Sequence, residues 1–152
     1  MFPESSEYTE STKTTALYEL STYDADMGGT NMYGPLKSIL AQGVLPTHPR
    51  NVFLLTDGAI SSPEDVVELI RNHNFSTRFH TFGVGSGAST FLVNETAKAG
   101  CGSSHIVQDG DPSLKAKVIE SLQKACAPAY SGIQVDWGVE ESAVLFQTPS
   151  PG

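Results

Sequence analysis

The stretch Asn51-Val-Phe-Leu-Leu-Thr-Asp-Gly58 decides the fold class of this chain. Its apolar run, Val52 to Leu55, stops abruptly at a Thr-Asp-Gly turn. A short apolar run with such boundaries predicts a strand that is buried on both faces, as in parallel sheets. Because ligands of open α/β sheets gather at the carboxyl ends of their strands, we expect Asp57 to lie at a functional edge of the sheet.

A second stretch, Asp24-Ala-Asp-Met-Gly-Gly-Thr-Asn31, precedes this strand. Its glycine pair lets the backbone turn, and Thr30 then opens a helix. The hydroxyl of Thr30 and the carboxylate of Asp57 are hard oxygen ligands, which suit Mg²⁺ or Ca²⁺ rather than a soft metal. Thr-Asp-Gly is also a common turn sequence, so the residues alone leave a plain turn open.

Gly28-Gly-Thr30 followed by Phe53-Leu-Leu-Thr-Asp-Gly58 resembles a von Willebrand factor type A domain. More narrowly, it is similar to the group that carries an N-terminal VIT domain, which includes the inter-alpha-trypsin inhibitor heavy chains. The resemblance implies an α/β fold with a doubly wound, Rossmann-like, mostly parallel sheet. Further similar stretches cover nearly the whole chain: Phe2–Ser5, Asp26–Thr30, Pro35–Leu40, Phe79–Gly87 and Val135–Trp137.

In that family a metal-ion-dependent adhesion site combines a D-x-S-x-S loop, a threonine and an aspartate. The resemblance implies Thr30 as the threonine and Asp57 as the aspartate, but no D-x-S-x-S occurs in this sequence. It therefore implies a chain that begins after the family's first strand, first helix and next strand. Mg²⁺ is the implied cofactor, held weakly or not at all, because it prefers octahedral oxygen coordination. The nearby Asp24 and Asp26 either compensate for the missing ligands or belong to a solvated loop.

Alternating helix and strand patterns predict parallel pairing with crossover helices. We expect residues 1–130 to form one partial type A domain, and residues 131–152 to begin a following β region or a tail. The predicted strands are Asn51–Thr56, Arg78–Val84 and Ser104–Gln108. The predicted helices start at Ser11 or Thr12 (apolar face Ala16, Leu17, Leu20 and Tyr23), at Asn31, at Ser61, at Ser89 and at Asp111.

In the resembling domains, the family's first strand lies beside the strand that corresponds to Asn51–Thr56. Without that neighbour, we expect the backbone of this strand to be unpaired on one side and its apolar residues to be reached by water. An unpaired apolar edge favours association with another chain.

Composition excludes several classes of protein. The 152 residues suffice for one domain with a core. A net charge of −8 argues against nucleic acid or an anionic membrane as partner. No run reaches membrane-spanning length, and no signal-peptide core is seen, which slightly favours a cytoplasmic over a secreted location. Cys101 and Cys126 are expected to be buried free thiols, with a single bridge as the alternative.

Two further patterns bear on catalysis. Gly83-Val-Gly-Ser-Gly-Ala88 matches a dinucleotide fingerprint, with Asp109 as the nearest acid, but it lies mid-chain rather than in an opening βαβ unit. The four histidines lack partners of known catalytic or metal motifs, and His80 and His105 are expected to be half-buried strand residues.

We therefore expect no enzymatic activity. The predicted function is that of a protein-interaction module with an incomplete adhesion site, whose partner offers a carboxylate. The alternatives are a metal-independent structural fragment of a larger VIT and type A protein, and a fragment of a nucleotide-binding enzyme.

Overall fold

The computed structural model describes residues 2, 4–24, 29–45, 48–127, 136 and 138. The predicted second segment, residues 131–152, therefore lies almost wholly outside the described residues and stays a prediction. Helices and strands alternate from β1 onward in the part of the chain that is described. In order they are α1 (Glu10–Ser21), α2 (Tyr33–Leu40), β1 (Arg50–Thr56), α3 (Pro63–Arg71), β2 (Thr77–Val84), α4 (Thr90–Ala99), β3 (Ser104–Val107) and α5 (Ser113–Cys126).

The three strands form one parallel sheet in the order β1-β2-β3. β1 pairs with β2 from Arg50↔Thr77 to Thr56↔Gly83, along its full length. β2 pairs with β3 from Thr81↔Ser104 to Val84↔Val107. The crossovers run through α3 and α4, so the predicted α/β fold with a parallel, Rossmann-like sheet is confirmed.

The two faces of the sheet are covered by different helices. Because side chains alternate along a strand, Phe79 of β2 points to one face, and His80 and Phe82 point to the other. The Phe79 face carries the apolar core against α2, α3 and α4. The buried members of this core are Leu36, Leu40, Val66, Val67, Ile70, Phe79, Leu92 and Ala99. On the opposite face, α5 reaches the sheet through Ser121, which contacts His105.

The amino end of β1 is tied to the end of α2 through one side chain. The Arg50 guanidinium donates hydrogen bonds to the carbonyl oxygens of Ile39 at 2.8 Å, Gln42 at 2.7 Å and Gly43 at 2.9 Å. These carbonyls lie at the helix end, where backbone acceptors lack helical partners and a cation opposes the helix dipole. Arg50 therefore fixes how α2 approaches the sheet.

β1 forms one edge of the sheet within the described residues. Val52, Phe53 and Leu54 are only partly buried, and Leu55 is 54% exposed. The prediction that this strand is buried on both faces is therefore wrong. The physical reason is its edge position, which leaves one side of β1 without a neighbouring strand in the described part of the chain.

Helix α1 forms where it was expected but does not bury its apolar residues. Its N-cap is Thr9, which precedes the predicted cap, Ser11 or Thr12, by two or three residues. Thr9 and Thr12 form a reciprocal capping box. Leu17, Leu20 and Tyr23 are each more than half exposed. The apolar face that the sequence predicts is thus largely exposed in the described part of the chain, and the observed capping box is local to the start of the helix.

The two cysteines are free, but neither is buried as predicted. Cys101 lies in the turn after α4 with a positive φ of 52°, and this turn carries its side chain to the surface. Cys126 ends α5 one turn after the partly exposed Leu122. Their sequence neighbours are apolar or small, so hydropathy alone did not separate these exposed positions from core positions.

We predict that the β1 edge drives self-association and that Leu55→Lys reduces it. A lysine on an edge strand opposes strand-to-strand pairing, because pairing would desolvate its charge. Size-exclusion chromatography with light scattering should show a shift toward monomer. The matched control is Phe75→Lys, since Phe75 is 83% exposed in the turn before β2 and outside the sheet. Equal effects of both substitutions would contradict a role of the edge.

Candidate functional site

The loops that leave the three strands meet at one edge of the sheet. In a parallel sheet all carboxyl ends point the same way, and ligands bind there. The loop after β1 begins with Asp57, the loop after β2 begins with Gly85, and Gln108 and Asp109 follow β3. This carboxyl edge is therefore the candidate functional site.

The turn that carries Asp57 is held by the side chain in front of it. Thr56 is 6% exposed, and its hydroxyl donates to the carbonyl oxygen of Gly58 at 3.2 Å. The Thr56 hydroxyl oxygen in turn accepts from the Gly58 backbone N–H at 3.4 Å. The backbone of the turn is thus fixed from within, while the Asp57 side chain is exposed. A fixed backbone with an exposed carboxylate is suited to contact a ligand or a partner.

The loop after β2 supports the same turn from outside. A Cβ atom at Gly87 would lie 2.8 Å from the carbonyl oxygen of Asp57, closer than real Cβ contacts allow. Only glycine lets the two backbones approach to this distance. The loop after β2 therefore positions the Asp57 turn, and Gly87 is a site residue that the sequence analysis assigned only to a fingerprint pattern.

Thr30 lies beside the loop that leaves β1. It lines a cavity of about 230 Å³ together with Ile60, Ser61 and Ser62 from that loop and with the starts of α2 and α3. The Thr30 side chain is exposed. Thr30 and Asp57 therefore belong to the same edge of the sheet, although Asp57 does not line this cavity.

The donors present do not fit a tight Mg²⁺ site. In the described part of the chain, no three His, Cys, Asp or Glu side chains are grouped to hold a metal ion. Thr30 and Asp57 offer two oxygens, whereas Mg²⁺ prefers six. Asp24 is exposed, and Asp26 lies outside the described residues. The metal-ligand roles of Thr30 and Asp57 remain predictions.

The glycine-rich segment after β2 is filled by the protein itself. Gly85 adopts a φ of +80°, and a Cβ atom on it would lie 2.6 Å from the Asp109 carboxylate. In a dinucleotide site, a glycine of this loop gives the pyrophosphate room to approach the backbone. Here a carboxylate occupies that room, and its negative charge would repel a phosphate. Asp109, the acid nearest to the sequence position expected for the ribose contact of this fingerprint, thus lies where a dinucleotide site needs open space for the pyrophosphate.

Comparison with known proteins decides the family. The family model described as "von Willebrand factor type A domain" matches residues 1–106. The chain belongs to the von Willebrand factor type A domain family. The predicted resemblance is thereby confirmed at the level of the type A domain, and membership of the narrower VIT group stays a prediction.

Relatives of this type A domain occur in distant organisms. It is 39% identical over 149 residues to human von Willebrand factor A domain-containing protein 5B1. The aligned residues make up 98% of the chain and 12% of that protein. It is 34% identical over 136 residues to rat protein 5A, covering 90% of the chain and 16% of that protein. A Dictyostelium discoideum von Willebrand factor A domain-containing protein is 33% identical over 150 residues. The aligned residues make up 99% of the chain and 16% of that protein. The chain thus spans less than one fifth of each relative.

Two further findings complete the comparison. No solved structure gives a significant match to the chain. Among the residues that the structure describes, no helix combines the length and the apolar character that crossing a membrane requires.

The sequence analysis missed a polar cluster on the α5 face of the sheet. His80 is 5% exposed, more deeply buried than expected, whereas His105 is partly buried as expected. Both rings hydrogen-bond to serines, His80 to Ser103 and His105 to Ser121. The four residues are spread over 42 positions of sequence, from 80 to 121 inclusive, and only the strand register brings them together.

We predict that Gly87→Ala disturbs the Asp57 turn. The added methyl group must displace the Asp57 carbonyl, at a cost of about 1–3 kcal/mol in the free energy of unfolding. Urea denaturation measures the cost, and the amide resonances of Asp57 and Gly58 report the displacement. Gly43→Ala is the matched control, because a Cβ at Gly43 meets nothing within 4 Å. Unchanged resonances in Gly87→Ala would contradict the positioning role.

We also predict that the chain binds Mg²⁺ no more tightly than in the millimolar range, because two protein oxygens leave most of the coordination shell to water. Isothermal titration calorimetry measures the affinity. Asp57→Ala should change it little. A micromolar site that disappears in Asp57→Ala would contradict this prediction.

Proposed function

We propose that this type A domain is a non-enzymatic protein-interaction module that binds its partner at the carboxyl edge of the sheet. The observation that carries the proposal is the Asp57 turn, whose backbone is fixed by Thr56 and abuts Gly87 while its carboxylate is exposed. Interfaces that are preorganised in this way lose little conformational entropy on binding.

The composition of the edge indicates the chemistry of the partner. The cavity at this edge is lined by hydroxyl and amide groups of Thr30, Asn31, Ser61 and Ser62, by the Asp65 carboxylate, and by Met32, Tyr33, Ile60 and Val66. The hydroxyl and amide groups donate hydrogen bonds to a carboxylate of the partner, with or without a divalent ion between them. The proposed partner is therefore a protein that presents an acidic side chain, and a weakly held divalent ion between that side chain and Asp57 offsets the repulsion by the Asp57 and Asp65 carboxylates.

Two considerations support a binding role over an enzymatic one. The Asp109 carboxylate against Gly85 disfavours a nucleotide phosphate at the glycine-rich loop. The acids of the edge, Asp57 and Asp109, are both exposed to water, and neither lies, among the described residues, in a closed cleft of the kind that holds a substrate against a general acid or base.

Quantitative affinity capture tests the proposal. The wild type is compared with Thr30→Ala and Asp57→Ala, and with Glu10→Gln as a matched control on the exposed surface of α1. We expect one set of proteins to be retained by both the wild type and the control. Each edge variant should retain at least fivefold less of these proteins, which corresponds to a loss of roughly 1 kcal/mol in binding free energy.

The same captures in EDTA separate the two modes of binding. Retention in EDTA supports direct hydrogen bonding, and loss in EDTA supports a bridging ion. If both edge variants retain every protein that the wild type retains, the proposed interaction edge is wrong. If the proposal is right, a captured protein that has been purified should bind the domain directly. Its affinities for the variants should follow the same order as in the capture experiment.

A further inference from the structure

A chain of hydrogen bonds joins two histidines across the α5 face of the sheet. His80 Nδ1 lies 2.9 Å from Ser103 Oγ, which lies 3.1 Å from Ser121 Oγ. Ser121 Oγ lies 3.1 Å from His105 Nε2. At the other end, His80 Nε2 lies 3.4 Å from Asn51 Oδ1. This histidine–serine chain therefore links β1, β2, β3 and α5.

The protonation state of His80 follows from its neighbour on β1. The Asn51 Nδ2 group donates to the carbonyl oxygen of Pro49 at 3.3 Å, so the Asn51 Oδ1 atom is the one that faces His80. His80 Nε2 must then carry the proton that it donates to Asn51. His80 Nδ1 is left as an acceptor, and it accepts the hydroxyl proton of Ser103.

The remaining hydrogen bonds run in the same direction. The Ser103 oxygen accepts the hydroxyl proton of Ser121, and the Ser121 oxygen accepts the Nε2 proton of His105. Every donor thus has an acceptor, but this arrangement requires neutral His80. A proton on Nδ1 would place two donors, the His80 N–H and the Ser103 O–H, against each other, unless both serine hydroxyls turn and His105 Nε2 gives up its proton to become the final acceptor.

This chain supplies the buried polar contact between α5 and a face of the sheet that also holds the fully buried Phe82. Ser121 is the buried residue of α5, with 0% exposure, whereas its apolar neighbours Ile119 and Leu122 are each 44% exposed. Leu114 and Val118 are partly buried. A buried hydroxyl that loses its partners costs stability, because water cannot replace them. Breaking the chain at Ser121 therefore weakens the contact of α5 with the sheet.

The surroundings of His80 oppose a positive charge. Burial lowers the pKa of His80 most, and Arg78 on its own strand, His105 on β3 and Lys124 on α5 lower it further. Stacking on Phe53, with ring centroids 4.9 Å apart, favours the charged form but does not outweigh burial. Burial also lowers the pKa of His105. Glu120 on α5 opposes that effect, and Lys117 and Lys124 add to it.

We propose that the histidine–serine chain is a proton-sensitive latch that holds α5 on the sheet. A proton from solvent binds the Nδ1 lone pair of His80 and converts the imidazole to an imidazolium with two N–H donors. The Ser103 hydroxyl must turn away from His80, which breaks the chain in this direction, and the positive charge now buried on the α5 face favours detachment of α5 while the apolar core around Phe79 stays folded. No bond other than hydrogen bonds and the new N–H bond changes in this step.

The sign of the pH dependence follows from the lowered pKa of His80. With α5 detached, His80 is exposed to water and takes up a proton near its ordinary pKa of about 6.5. With α5 docked, His80 takes up a proton only at lower pH. The latch is therefore at full strength above about pH 6.5 and weakens as the pH falls below that value through the lowered pKa of the docked state.

Hydrogen exchange measured by mass spectrometry tests the latch on the 152-residue chain. Between about pH 7.5 and about pH 5, after correction for intrinsic exchange rates, the opening constant of α5 peptides should rise by roughly three- to tenfold. Peptides of α4 and β2 should change less. His80→Gln should reduce the response to the smaller part that His105 contributes, because its amide can accept from Ser103 but cannot be protonated in this range.

The matched control is His73→Gln. His73 lies in the turn after α3, and its Nδ1 atom contacts the carbonyl oxygen of Leu69 instead of the chain. This variant should respond to pH like the wild type. A pH response in His80→Gln equal to that of the wild type would overturn the proposal. So would parallel opening of α4 and α5, which indicates global unfolding.

A second measurement covers the case in which His80→Gln does not fold. In the wild type, NMR titration follows the His80 ring protons and the amide resonances of α5. The proposal requires the two to change with the same midpoint. Amide resonances of α5 that stay constant while His80 titrates would overturn it.

Discussion

Parallel pairing of β1 with β2 is the interaction on which the rest of this domain depends. The register from Arg50↔Thr77 to Thr56↔Gly83 sets Phe53 opposite His80 and brings the Asp57 turn beside the loop that follows β2. The same register leaves Arg50 at the end of α2, where it caps three carbonyl groups. The candidate site therefore follows from this set of backbone hydrogen bonds, and the polar cluster requires the pairing of β2 with β3 as well.

The carboxyl edge combines fixed backbone with exposed side chains. Thr56 and Gly87 support the Asp57 turn from its two sides, while the carboxylate itself is free to contact a partner. Asp109 against Gly85 gives the glycine-rich loop an internal role in packing. Glycines at such positions indicate close backbone approach in general, and only the identity of the approaching group separates a phosphate site from internal packing.

The two faces of the sheet differ in how they are held to their helices. Phe79, Ile70 and Leu92 are fully buried on one face, where α3 and α4 pack through apolar side chains that are insensitive to pH. The other face is held to α5 through serines and histidines. Since local stability follows the kind and number of buried contacts, α5 is expected to open before α4.

The sequence by itself determined the family and the local elements. The Thr-Asp-Gly turn after an apolar strand, the serine cap of α4 and the proline start of α3 are read from neighbouring residues, and each lies within a residue or two of its expected position. Thr30 and Asp57 are paired through the resemblance to type A domains, since Thr30 follows no strand in the described residues from which its position could be predicted.

Only the tertiary structure decided which of these residues are buried. Apolar composition predicted a covered β1 and buried cysteines, yet each is exposed in part or wholly, because burial depends on what packs against an element. Contacts between distant positions, such as Gly87 with Asp57 and His80 with Ser103, arise from strand register. Register is a property of two paired strands, and no single stretch of sequence contains it.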